Sequence, residues 1–159
     1  PGIAIDPAKV ADLLSNSRVL AGASDGGAHT KNFSGGQWTT NLILWLVRDN
    51  AFLSLEDMHY RLSYQPARAM GIKDRGALLE GMAADILVYD LAELYFDQDR
   101  FDVVHDQPGG DWRRKARAGG YRQIFVNGVQ TFERDQPLGT TPGVYLGDGA
   151  SRPQIARAA

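Results

Sequence analysis

A short apolar run, Val19-Leu20-Ala21-Gly22-Ala23, that stops at Ser24-Asp25-Gly26-Gly27-Ala28-His29 constrains this chain more than any other stretch. It does not alternate apolar with polar residues, so it reads as a strand covered on both faces, the pattern of a parallel strand in an α/β fold. Just upstream, Asp6-Pro7 opens a helix, because Asp6 can accept from free N–H groups and Pro7 suits the first helical position. Val10, Leu13 and Leu14 give that helix one apolar stripe, and the strand expected at Arg18 to Ala23 follows after a short connection. Helix then covered strand is half of an α/β repeat. A carboxylate at the carboxyl end of such a strand is where barrel enzymes place their chemistry. Asp-Gly-Gly is equally ordinary turn composition, with Asp25 bonding its own backbone.

Further on, a helix is expected near Thr39 to Arg48, apolar almost all round through Leu42, Ile43, Leu44, Trp45, Leu46 and Val47. Ser54-Leu55-Glu56-Asp57 starts another, with Ser54 as its cap and two acids in the first turn. His59 falls beside the apolar face of that helix, where a satisfied packing histidine is the simplest role. Pro66 to Met70 reads as one more short helix, stopped at Gly71. From Gly76 the period changes. Ala84 to Asp90 reads as a strand, and Arg122 to Val126 and Val129 to Glu133 read as a hairpin closed by Asn127-Gly128. The expected division is therefore 1–75, α/β, then 76–149, antiparallel strands, then a frayed tail at 150–159. Between the strands, 91–120 reads as an irregular covering connection. Its first part is acidic (Asp97, Asp99, Asp102, Asp106, Asp111) and its second basic (Arg113, Arg114, Lys115, Arg117).

Composition matters mainly for what it excludes. A net charge of -2 provides no field for nucleic acid or membrane, and no apolar run approaches a membrane span. With 0 cysteines there is no disulfide framework and no thiolate metal ligand, which is compatible with the cytoplasm. The 3 histidines, His29, His59 and His105, make no His-x-His or His-Glu-x-x-His motif, so no local zinc signature is present. Asp25 and His29 are the one pair of candidate metal donors lying close in sequence.

Several stretches, taken in order, resemble a known family. They are Ser24-Asp25-Gly26-Gly27-Ala28-His29, Gly76-Ala77-Leu78-Leu79-Glu80-Gly81-Met82-Ala83-Ala84-Asp85-Ile86-Leu87-Val88-Tyr89-Asp90, His105-Asp106-Gln107-Pro108-Gly109-Gly110, Val126-Asn127-Gly128 and Pro142-Gly143. Together they resemble the C-terminal part of the amidohydrolase superfamily, in the branch of N-acyl-D-amino-acid deacylases (D-aminoacylases). That resemblance implies the last units of a metal-dependent (β/α)8 barrel followed by part of a small antiparallel β-sandwich. It implies one or two zinc ions at the carboxyl ends of the barrel strands and a small-molecule amide substrate. Asp25 matches the aspartate that approaches the metal and handles the protons of the attacking water, and His29 matches a substrate-binding position. His105 and Asp106 match a recurring covering stretch.

The family's other metal ligands fall upstream of the matched positions. The chain begins at Pro1 rather than Met, and is expected to be a segment of a longer hydrolase that is inert alone. Its expected partners are the rest of its own enzyme or further copies of itself, drawn to a bare strand edge and an uncovered Leu42 to Val47 face. The alternatives are the second piece of a split hydrolase, active only with its partner, or a non-enzymatic binding module built on the same fold.

Overall fold

The computed structural model describes residues 5–22, 31, 36 and 38–147. Helices come first. Helix α1 (Pro7–Ser15) begins as its sequence dictates, with the Asp6 carboxylate accepting from the Ala8 N–H at 3.0 Å and Pro7 in the first turn. Helix α2 (Trp38–Leu42) runs on as π-helical turns over Ile43–Asp49. Helix α3 (Leu55–His59) is capped by the Ser54 hydroxyl, which accepts from the Asp57 N–H at 3.0 Å. It continues through π-helical Tyr60–Tyr64 into α4 (Gln65–Ala69). Gly71 adopts φ +74° and ends this helix, as only a residue free of a Cβ does without strain.

Strands follow, all antiparallel. A four-stranded sheet has the order β1 (Ile86–Tyr89), β4 (Tyr121–Val126), β5 (Val129–Glu133) and β6 (Gln136–Pro137). A separate ribbon pairs β2 (Tyr95–Val104) with β3 (Arg113–Gly119). The architecture is thus mixed α/β: helices, then two antiparallel sheets, with no closed barrel among the described residues. No helix of the described residues is long and apolar enough to cross a membrane.

The core sits where helices meet the first strands. Leu14, Ile43, Leu44, Leu46, Met58 and Leu94 are all at most 6% exposed and form one cluster. Leu94 enters from the link between β1 and β2, and the Leu94 carbonyl accepts from the Arg48 guanidinium at 2.6 Å. The Thr40 and Tyr121 hydroxyls share a hydrogen bond of 2.7 Å, tying α2 to β4.

Three expectations need correction. The Leu42 to Val47 face is not left uncovered: Leu46 is 0% exposed, and Leu42, Trp45 and Val47 pack against the core. The stretch 91–120 is not an irregular connection, because its acidic and basic blocks face each other as β2 and β3 (Asp97↔Arg117, Asp102↔Lys115). Residues 18–22 belong to no sheet. A strand is defined by its neighbour's backbone, and no other strand lies beside this run among the described residues. The Gln65 amide instead donates to the Ser17 and Val19 carbonyls, at 2.8 and 3.0 Å. Val19 and Ala21 pack on the core while Leu20 stays 47% exposed, so the run is covered on one face only.

Candidate functional site

Asp25 and His29, the residues to which the sequence assigns chemistry, lie outside the described residues. Described positions on either side are held from elsewhere in the fold. Upstream, Gln65 grips the Ser17 and Val19 carbonyls. Downstream, the Lys31 ammonium lies 2.8 Å from Asp111 Oδ1 and 5.3 Å from the ring centre of Trp112. Asp111 and Trp112 stand at the tip of the β2–β3 hairpin. No motif or spacing marks Lys31. Gln65 carried a signal, since it follows Met58 by seven positions and so falls on the buried side of its helix.

His105 and Asp106 also stand at that tip. His105 Nδ1 is 3.2 Å from the Gly110 carbonyl. Asp106 accepts two bonds of 2.7 Å from the Arg113 guanidinium, which holds its carboxyl down at about 2. A carboxylate held so firmly ionised, with both oxygens occupied, is a poor proton carrier near neutrality. Its work is to brace the turn.

His59 lines a groove of about 940 Å³ bounded by α3, α4 and β1. Tyr60, Met70, Ile72, Leu78 and Leu87 make its wall largely apolar. His59 Nε2 is hydrogen-bonded to the Tyr89 hydroxyl. Tyr89 in turn meets Tyr121 edge-on at 5.8 Å, and Tyr121 shares its hydrogen bond with Thr40. Burial lowers the His59 imidazole and raises both phenols, so all three groups are neutral at pH 7. His59 is a packing histidine with a hydrogen-bonded partner, not half of a charged acid–base pair.

Three of the motifs that carry the family resemblance, Gly76–Asp90, Val126–Gly128 and Pro142-Gly143, converge physically on Asn127. Its N–H donates to Asp85 Oδ1 at 2.7 Å, and its side-chain amide donates to the Pro142 carbonyl at 2.8 Å. Its side-chain oxygen accepts from Arg75 Nη2 at 2.7 Å, while Arg75 Nη1 is paired with Asp85. The Gly128 N–H reaches the Ala84 carbonyl at 2.9 Å. Gly76, at φ +90°, lies where a Cβ would stand 2.8 Å from the Ser63 carbonyl oxygen. These residues fasten the four-stranded sheet to the end of the helical region. Their role in the described structure is architectural.

Among the described residues no three histidine, aspartate or glutamate side chains gather where a metal could be held. The described part of the chain therefore does not make up a metal centre.

Comparison with known proteins agrees in direction. The chain is similar over 151 residues, at 26% identity, to the N-acyl-D-aspartate deacylase of Alcaligenes xylosoxydans xylosoxydans, covering 94% of this chain and 28% of that protein. It is similar over 105 residues, at 33% identity, to the N-acyl-D-glutamate deacylase of the same organism, covering 66% of this chain and 19% of that protein. The chain thus spans only 28% and 19% of the length of the two curated relatives it matches. No protein-family model matches it, and no solved structure does.

Proposed function

We propose that this chain, a D-aminoacylase-like segment, is the C-terminal part of a metal-dependent amidohydrolase that cleaves a non-peptide C–N bond of N-acyl-D-amino acids. What supports the reading is the similarity to two deacylases of that class over 94% and 66% of the chain. In the proposed parent, residues 1–75 belong to the last units of a (β/α)8 barrel and 76–149 to a β-sandwich.

Asp25 is the residue on which the chemistry rests. Its carboxylate takes a proton from the attacking water and returns it to the departing amine, a transfer that needs hydrogen-bond reach and a group ionised at neutral pH. His29 contacts substrate. Zinc, one ion or two, would supply an acidified water when bound. The described residues do not form a metal centre, so its remaining ligands would come from outside them. The isolated chain is expected to be inert.

The rest of the same enzyme is the natural partner. The groove beside β1 exposes Met70 and Leu78 at 76% each and Leu87 at 48%, and β1 is an edge strand. Exposed apolar surface next to unpaired strand edge favours association. Separated from its parent, the chain is expected to self-associate, and sedimentation as a monomer at high concentration would contradict this.

The decisive experiment uses a complete enzyme containing this segment, assayed on N-acyl-D-aspartate and N-acyl-D-glutamate. Asp25→Asn is expected to abolish most turnover while the circular dichroism and unfolding midpoint stay unchanged. Near-normal turnover in the variant would refute the role.

A further inference from the structure

We infer that Asn127-Gly128 is a latent self-modification site, held shut by the bonds that fasten the four-stranded sheet. Once those bonds open, conversion of the Asn127 amide to an acid keeps the sheet from being fastened again.

The chemistry needs only water. Asn127 precedes a residue without a side chain, so nothing shields the Gly128 nitrogen from the amide carbon beside it. The chain has one such Asn-Gly pair. The Gly128 nitrogen gives its proton to solvent base and attacks Asn127 Cγ. A bond forms between them, the Cγ–Nδ2 bond breaks, and Nδ2 leaves as ammonia with a proton from solvent. Water then opens the cyclic imide. Addition at Cγ restores the original backbone with an aspartyl side chain. Addition at the Asn127 backbone carbonyl leaves an isoaspartyl residue, whose main chain runs through Cβ and Cγ.

Both reacting groups are engaged elsewhere in the fold. The Gly128 N–H donates to the Ala84 carbonyl at 2.9 Å. Asn127 Nδ2 donates to the Pro142 carbonyl at 2.8 Å, and Oδ1 accepts from Arg75 Nη2 at 2.7 Å. The Asn127 N–H donates to Asp85 Oδ1 at 2.7 Å, and Asp85 also pairs with Arg75. The Arg75 side chain is 12% exposed, so water competes poorly for its bond. The amide is thus pinned at both ends, while the nitrogen that would attack it keeps its proton on another acceptor. Ring closure requires the side chain to leave both partners, so it proceeds through local opening.

Either product changes the latch. An aspartyl side chain no longer donates to the Pro142 carbonyl, and two carboxylates then share the Arg75 guanidinium. The isoaspartyl form does more, because it lengthens the main chain inside a turn that joins β4 to β5 through two residues.

The test incubates the 159-residue chain at mildly alkaline pH, folded and in urea. Peptide mapping that separates asparaginyl, aspartyl and isoaspartyl forms follows position 127. The folded chain is expected to convert about ten- to thirty-fold more slowly than the unfolded one, the scale of two side-chain bonds that must open. Asp85→Ala takes the carboxylate from both Arg75 and the Asn127 N–H, and is expected to raise the folded rate about three- to tenfold. Asp85→Asn keeps an acceptor and falls between. Asn16-Ser17, whose side chain accepts from the Arg18 N–H away from this cluster, keeps its wild-type rate in both variants. Equal rates at position 127 in folded and unfolded wild type would overturn the inference. So would a folded rate that neither Asp85 variant moves, or one that rises only in step with Asn16-Ser17. The isoaspartyl chain, once separated, is expected to exchange its β1 and β4 amides at least about tenfold faster than the unconverted chain. Unchanged exchange there would show that the conversion does not unfasten the sheet, and would also overturn it.

Discussion

The two hairpins of this chain solve the same problem by different physics. Hairpin β4–β5 closes through two residues, Asn127 at φ +49° and Gly128 at φ +80°, the left-handed pair that matches the twist of the strands it joins. It is flanked by β1 and β6 and fastened through the Asn127 side chain. Among the described residues, hairpin β2–β3 has no neighbouring strand. Its register slips between Asp97 and Phe101, and its strands are matched by charge. Asp102 pairs with Arg117, Asp106 with Arg113, and the Arg114 guanidinium lies 4.1 Å from the centre of the Phe101 ring. Isolated two-stranded ribbons are marginal in water. This one is held at its base by Leu94 and Phe96 in the core and at its tip by Lys31. One hairpin is specified by its turn, the other by its ends and its charges.

That contrast can be broken experimentally. The largest effect is expected from Asn127→Gly, which keeps the left-handed turn but removes the side-chain bonds to Arg75 and Pro142. A loss of about 2 kcal/mol in denaturant unfolding is expected, since one of the two bonds is to a charged partner. A neutral result would mean that the turn alone specifies β4–β5. Gly128→Ala, which leaves those bonds and strains the turn at φ +80°, is expected to cost about 1 kcal/mol in the same measurement.

The smallest effect belongs to the charged hairpin. The Asp106 carboxyl titrates at about 2 when folded, below its ordinary 3.8, because the Arg113 guanidinium bonds it. The unfolded chain therefore binds the proton more readily. The stabilisation is whole above the ordinary value and is lost as pH falls towards the folded one. An NMR titration of the β2–β3 amides is expected to show this step between about pH 4 and 2, and Asp106→Asn to remove it. A step that persists in the variant would assign it to another carboxylate.

What was legible in the sequence was what local chemistry decides. Asp6-Pro7, Ser54, Gly71 and Asn127-Gly128 act on their own backbone, and each element boundary they mark is present. What failed were properties of pairs. The run from Val19 is apolar enough for a covered strand, yet among the described residues it has no strand to pair with. The acidic and basic blocks of 91–120 read as an irregular covering connection because their meaning lies in facing each other across a ribbon. For the site, the motif residues Asp85, Asn127 and Gly76 were visible as a family pattern, but their spacing does not reveal that they fasten a sheet. Asp25 and His29 fall outside the described residues, so the sequence remains their whole warrant. The buried side of Gln65 could be read from its helical spacing, but its partners could not: nothing in a helix sequence says which distant carbonyls its side chain will meet.

The π-helical turns over Ile43–Asp49 carry one consequence for variation in length. A bond from each N–H to the carbonyl five residues back closes a loop one residue longer than that of the ordinary helix. That slack lets Ile43, Leu44 and Leu46 all point inward at 5% exposure or less. Removal of a single residue here can be absorbed by tightening to α geometry, so the segments on both sides keep their phase. Homologous chains one residue shorter at this place would carry the same core.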